Sequence, residues 1–330
     1  MKKQTEVLDW IAAGHVVKGK ESDALAAAGF YPSATQWRRF IDQILLWCGV
    51  IALGAAMIFF LAYNWQAMGR YAKFALAESA IVLSLFACWR FGLGSLAGKA
   101  SLLLASLLVG ALLALVGQTY QTGADTYELF AVWAIAISAW VLVAQLGALY
   151  LFWLALANLA VMLYFHTFGG FLGMLFSTQA QLWSLFVLNT AALLVWEWAA
   201  WRGVPHVRER WPVRVLITAS GVLITILALH AIFEERYRSD YAVYLRSVTL
   251  LFVYVAWLIA GFVIYRKYLK DLFVLAGCVL SLIVSANALV GRIVLSHSDA
   301  PGFLLVGLLI IGSSAWGGLW LKKVAKEMSA

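Results

Sequence analysis

Ten stretches of about twenty apolar residues, joined by short polar links, constrain this chain more than any other feature. A helix rises about 1.5 Å per residue, so each stretch matches a hydrocarbon core of about 30 Å. Lipid offers backbone amides and carbonyls no hydrogen-bond partner, so segments of this length cross it as helices that satisfy themselves internally. The runs are placed at 43–63, 71–91, 101–119, 127–145, 147–166, 179–199, 213–233, 246–265, 272–291 and 303–321. They predict an all-α integral membrane protein, a polytopic bundle of about ten transmembrane helices. Outer-membrane barrels are excluded, because their strands read as ten-residue alternations and not as continuous apolar runs.

Composition narrows the class further. Hydrophobic residues make up 64% of the chain and charged residues 12%, against about 25% charged in soluble domains. A soluble enzyme of this size is thereby excluded, and the 48 aromatic residues exclude disorder. The net charge of +8 would suit nucleic acid, except that the 24 basic residues sit between the apolar runs and form no aromatic-interleaved stripe. No nucleic-acid partner is expected; the partner that the composition implies is the lipid bilayer. Cys48, Cys88 and Cys278 fall inside apolar runs without a C-x-x-C pair, which predicts neither a disulfide nor a zinc site. No cofactor is expected.

Three parts are expected: a cytoplasmic amphipathic helical segment over 1–40, the membrane bundle over 41–321, and a cytoplasmic basic tail over 322–330. Met1-Lys2-Lys3 is followed by polar and acidic residues where a signal peptide would be apolar, so no cleaved signal is expected. Within the first segment two short helices are predicted, the first ended by Gly14 and the second capped by Ser22. Ser33-Ala34-Thr35-Gln36 has the capping-box form and should open a helix that leads directly into the first span. The weakest junction is Gln145 to Gly147, where a very short link must reverse the chain. All four prolines fall outside the proposed spans.

Orientation follows from Lys and Arg counts. With the amino terminus in the cytoplasm, eighteen basic residues lie inside and six outside, together all 24. This predicts a bacterial inner-membrane location with both termini cytoplasmic.

Two polar stretches depart from ordinary membrane composition: Ala62-Tyr63-Asn64-Trp65, with Gln66 to Arg70 and Lys73 following, after the first span, and Gly117 to Phe130, opening with Gly117-Gln118-Thr119-Tyr120-Gln121, after the third. With them the chain resembles a family of predicted multi-pass bacterial membrane proteins, a domain of unknown function numbered twenty-one fifty-seven. The resemblance covers roughly the first half of the chain. Members share a short amphipathic amino-terminal region, the Asn-Trp and the Gly-Gln-x-Tyr-Gln; the family implies no activity.

Ser106, Gly110, Ala114 and Gly117 recur every three or four residues as a seam for close helix contact, extended by Gln118 and Gln121. Gly123 supplies a left-handed turn, and Asp125 is placed to cap the next helix. The stretch reads either as a self-satisfied loop or as part of an outer polar cluster comprising Asn64, Trp65, Gln118, Tyr120, Gln121, Asp125, Glu128, His230 and Asn287. Such a cluster would recognise a solute, or a membrane or periplasmic protein.

Glu78 lies seven residues into the second run, about 10 Å deep. An intramembrane carboxylate reads as a proton or ion site, and equally as a neutral packing residue. Glu197 is expected to reach the interface beside Arg202. Asn158, Asn189 and Asn287 read as interhelical hydrogen-bond partners. No H-E-x-x-H, G-x-S-x-G or P-loop is present, so an enzyme is disfavoured. Three functions are carried forward: a binding or scaffold component built on the outer cluster, a proton- or ion-coupled small-solute transporter using Glu78, and a lipid-modifying membrane enzyme.

Overall fold

The computed structural model describes residues 2–17, 19–168, 178–204, 207, 209–233, 241–295 and 300–329. Twelve α-helices and no strands are found among them. Ten are long and apolar enough to cross a membrane, each overlapping one of the runs read from the sequence. The chain divides into two compact units, Met1–Leu115 and Val116–Ala330.

Unit 1 begins with α1 (Lys2–Ala12) and α2 (Glu21–Ala27). Gly14 is left-handed at φ 73°, just past the end of α1, as expected. The cap of α2 differs from expectation. Lys20 occupies the position before the helix and makes no side-chain cap bond, so Ser22 lies one residue inside it. α3 (Ala34–Tyr63) opens with the full capping box: Ser33 Oγ accepts from Gln36 N at 3.3 Å, and Gln36 Oε1 accepts from Ser33 N at 2.8 Å. The helix then runs 30 residues without interruption into its apolar stretch. α4 (Arg70–Phe91) follows a short turn, and α5 (Leu96–Tyr120) is capped by Ser95, whose Oγ accepts from Gly98 N at 3.0 Å. The division between the units falls within α5. Ser106 and Gly110 of the predicted seam are buried. Leu107 packs so closely on α3 that a Cβ on Gly54 would stand 3.3 Å from its Cδ1.

Unit 2 holds α6 (Thr126–Ala144), α7 (Gly147–Thr167), α8 (Thr178–Trp201), α9 (Arg210–Phe233), α10 (Tyr241–Val263), α11 (Leu272–Leu295) and α12 (Ala300–Ser329). The α6–α7 link is two residues long because Gln145 takes a left-handed conformation, φ 52°. Gly147 fits there because a Cβ would stand 2.8 Å from Pro212 Cγ on α9. A core built on Leu216, Ile224, Leu227, Leu250, Leu275 and Cys278 joins α9, α10 and α11. Pro212 and Pro301 lie in the first turns of α9 and α12, which begin a few residues before the apolar runs. No intrahelical hydrogen bond is lost there, since a first-turn N–H has no partner within the helix. Pro205 lies outside the described residues.

Polar pairs tie the spans of unit 2 together. Asn189 Nδ2 donates to Asn158 Oδ1 at 2.6 Å between α7 and α8, and Trp153 Nε1 donates to Ser138 Oγ at 3.0 Å between α6 and α7. Asn287 Nδ2 donates to Ser313 Oγ at 3.0 Å between α11 and α12. All three asparagines thus make hydrogen bonds, and each bonds across helices. α10 ends in a π-helical turn, Ile264–Tyr268, in which Leu269 N reaches back to Ile264 O at 3.0 Å. Lys270 follows with φ 46°.

Candidate functional site

The turn between α5 and α6 is built by two left-handed residues, Gln121 at φ 45° and Gly123 at φ 65°. Glycine adopts this conformation freely. For Gln121 it costs about 1–2 kcal/mol, so the turn is held by its surroundings. One support is the foot of α6, where the Tyr127 ring lies 5.2 Å from that of Tyr164 and 5.9 Å from that of Phe168. Tyr127 OH also donates to Glu128 Oε1 at 3.4 Å. Asp125 stands at the cap position of α6 as predicted, but its side chain makes no cap bond; its backbone carbonyl accepts from Glu128 N at 3.0 Å. Its carboxylate is therefore presented outward. Gln118, Tyr120, Gln121 and Asp125 are all exposed, and Glu128 is half-buried. Gln121 does not continue the helical face of Gln118, because α5 ends at Tyr120.

The other members of the predicted cluster sit in separate local settings. In unit 1, Asn64 closes α3 by donating from Nδ2 to Phe60 O at 2.9 Å. The Trp65 ring lies 3.6 Å from Lys73 Nζ. Lys73 is only 7% exposed, so the ring face supplies the electron density that water would otherwise give its ammonium group. The Asn-Trp pair thereby has a structural role, to end one span and receive the lysine of the next. In unit 2, His230 is exposed near the end of α9, and Asn287 is held by Ser313.

Glu78 is exposed on α4, against the burial expected from its depth in the run. Its neighbours Ala75 and Ser79 are also uncovered, whereas Ala77 and Lys73 face inward. Successive helical residues point about 100° apart, so depth along a span does not fix which way a side chain faces.

Among the described residues, the densest charged group was not read from the sequence. Glu197 does not pair with Arg202, which lies over the Trp198 and Trp201 rings. Glu197 Oε2 instead accepts from Arg210 Nη1 at 3.2 Å, and its Oε1 from Tyr265 OH at 2.7 Å. Asp271 accepts from Arg214 Nε at 3.2 Å and Nη2 at 3.3 Å, a two-pronged pair, and lies 4.0 Å from Arg210 Nε. The Asp271 side chain is 5% exposed, and its Oδ1 also caps α11 through Phe273 N at 3.0 Å. Four helix ends, those of α8, α9, α10 and α11, are joined by this net. Two acids balance two guanidinium groups, which suits a latch. Among the described residues, no three His, Cys, Asp or Glu side chains form a metal-holding group.

The first half of the chain carries both polar motifs at helix ends that face each other across short turns. Residues 8–150 match the family described as predicted membrane protein (DUF2157). The DUF2157 match contains Asn64-Trp65, Glu78 and the whole α5–α6 turn, and ends in the first turn of α7. The latch of Glu197, Arg210, Arg214 and Asp271 lies beyond it. No curated protein and no solved structure matches the chain.

Proposed function

We propose that this DUF2157-like chain is a binding or scaffold component of a bacterial inner membrane, with both termini cytoplasmic and the α5–α6 turn as its periplasmic recognition surface. One observation carries the reading: Gln118, Tyr120, Gln121 and Asp125 are exposed together on a turn with two fixed left-handed residues. A pre-set surface of amides, a phenol and a carboxylate suits a protein partner, because ordering costs are already met and Tyr supplies contact area at low entropy. A solute site would instead enclose its ligand. Ion-coupled transport through Glu78 has less support, since Glu78 is exposed and the grooves described in the bundle are apolar.

The test combines topology with contact. In a cysteine-free background, Thr122→Cys should react with a membrane-impermeant thiol reagent in intact cells, and Lys326→Cys only after permeabilisation. A photo-crosslinking residue in place of Tyr120 should give one discrete adduct, lost when Gln118 and Gln121 are both changed to Ala. A protected Thr122→Cys, or solute flux in proteoliposomes without any adduct, would overturn the reading.

A further inference from the structure

A groove of about 490 Å3 runs along unit 2 between α9 and α11, floored by Trp257 of α10. Thr218 and Val222 form one wall, Phe273, Gly277 and Leu280 the other, and all five are exposed. The groove exists because glycines leave it open. A Cβ on Gly277 would meet nothing within 4 Å, whereas at Gly221 it would stand 3.0 Å from the Trp257 ring, which fixes the floor. The hydroxyls along it satisfy one another and make no demand for a polar ligand. Thr225 Oγ1 lies 2.6 Å from Ser281 Oγ and donates to Gly221 O at 2.6 Å, and Tyr254 OH donates to Ser281 O at 3.0 Å.

Length and charge select the occupant. On α11 the groove runs from Phe273 to Val284, eleven residue steps or about 16 Å at the helical rise. That is one leaflet's share of a hydrocarbon core about 30 Å thick. It starts at the end of the bundle where α11 begins and closes near mid-helix. The starting end is cationic: the Arg214 guanidinium lies 5.6 Å from the Phe273 ring, and Lys267 and Lys270 are exposed on the link just before α11. Asp271 offsets one of these three charges through its pair with Arg214.

We infer that the α9–α11 groove holds one acyl chain of an anionic glycerophospholipid, with the phosphate at Lys267 and Lys270. The apolar walls select a chain, the one-leaflet length selects a lipid that enters from a single interface, and the net positive mouth selects against a zwitterionic headgroup. The inference is independent of the α5–α6 turn.

The probe is a bilayer of equal phosphatidylglycerol and phosphatidylcholine, from which the intact protein is extracted in detergent and its retained lipid counted by mass spectrometry. Wild type should retain phosphatidylglycerol over phosphatidylcholine. Gly277→Leu, which fills the groove where nothing is displaced, should lose both lipids with its melting temperature unchanged. Lys270→Gln should keep the chain but weaken the headgroup preference by about fivefold, the share of one lysine near a membrane surface. If Gly277→Leu expresses poorly, Leu280→Trp fills the same groove from an exposed position. Equal retention of the two lipids by wild type overturns the inference, as does undiminished phosphatidylglycerol in a folded groove-filling variant.

Discussion

The two units use the same apolar building material and hold it together differently. In unit 1 the serines of the spans return their hydroxyls to their own helices, Ser84 to Ala80 O and Ser101 to Ala97 O. Apart from Lys73 on the Trp65 ring, which joins α3 and α4 at their shared turn, contact between its spans is made by close apolar packing such as Leu107 on Gly54. In unit 2 asparagine, tryptophan, tyrosine and arginine side chains reach from one span to another. Between helices already in lipid there is no further hydrophobic driving force, so van der Waals fit and polar bonds decide which neighbour a helix takes. Polar bonds name their partner and small residues only permit one. Unit 2 is therefore specified by particular pairs, and unit 1 by shape.

The contrast is broken most directly at Asp271. Asp271→Ala strands the Arg214 guanidinium, leaves Arg210 to Glu197 alone and removes the cap of α11, and should cost about 2–3 kcal/mol once allowance is made for the half-exposed Arg214. A lowered melting temperature in detergent is the readout. Arg266→Ala, at a further ion pair joining unit 2 helices, should barely move it, because Arg266 and Glu327 are both close to half exposed. Equal effects would mean that the buried net is no stronger than a surface pair.

Shape specification is tested at the seam. Gly110 is buried on α5 and Leu112 only half-buried, so Gly110→Leu should destabilise by about 1–3 kcal/mol through overpacking and exceed Leu112→Ala. Matching melting temperatures for the two variants would remove shape as the organising rule of unit 1.

The smallest effect is expected at Glu78. An exposed side chain has no packing to lose, so Glu78→Gln should change the melting temperature by no more than the equivalent of about 0.5 kcal/mol. A marked fall would instead reveal an ionised carboxylate whose charge is paired.

The sequence announces what length and period dictate and is silent on what distance in the chain conceals. Ten spans were legible because hydrocarbon thickness sets a run length, and the capping box at Ser33 because its partners are three residues apart. Asp271 was in principle visible as an acid immediately before an apolar run, the pattern of a helix cap. Its pairing with Arg214 spans 57 residues, and no local rule links the two. Glu78 shows the converse failure. Its depth was read from counting, but its facing depends on packing partners that one sequence does not reveal. Glu197 was legible only as an acid reaching the interface beside Arg202; its partner Arg210, thirteen residues on, comes from the fold. The candidate turn was legible as polar residues around glycine. What the sequence withheld was that Gln121 itself leaves the helix, through a backbone angle no residue code announces.

The π-helical turn at 264–268 counts residues. Each α-helical residue advances the chain by about 100°, so a span that closes from residue to residue minus five holds one residue more than an α-helix would at the same length. That surplus sets the azimuth at which Tyr265 meets Glu197 and the point at which the chain leaves for Asp271. A single-codon deletion inside 264–268 would remove that surplus, and with it the widened turn through which Tyr265 reaches Glu197 and the chain leaves for Asp271. The charged net would then come apart with every one of its charges still encoded. The link between α10 and α11, short and largely exposed, is for that reason a place where insertions and deletions are least forgiven.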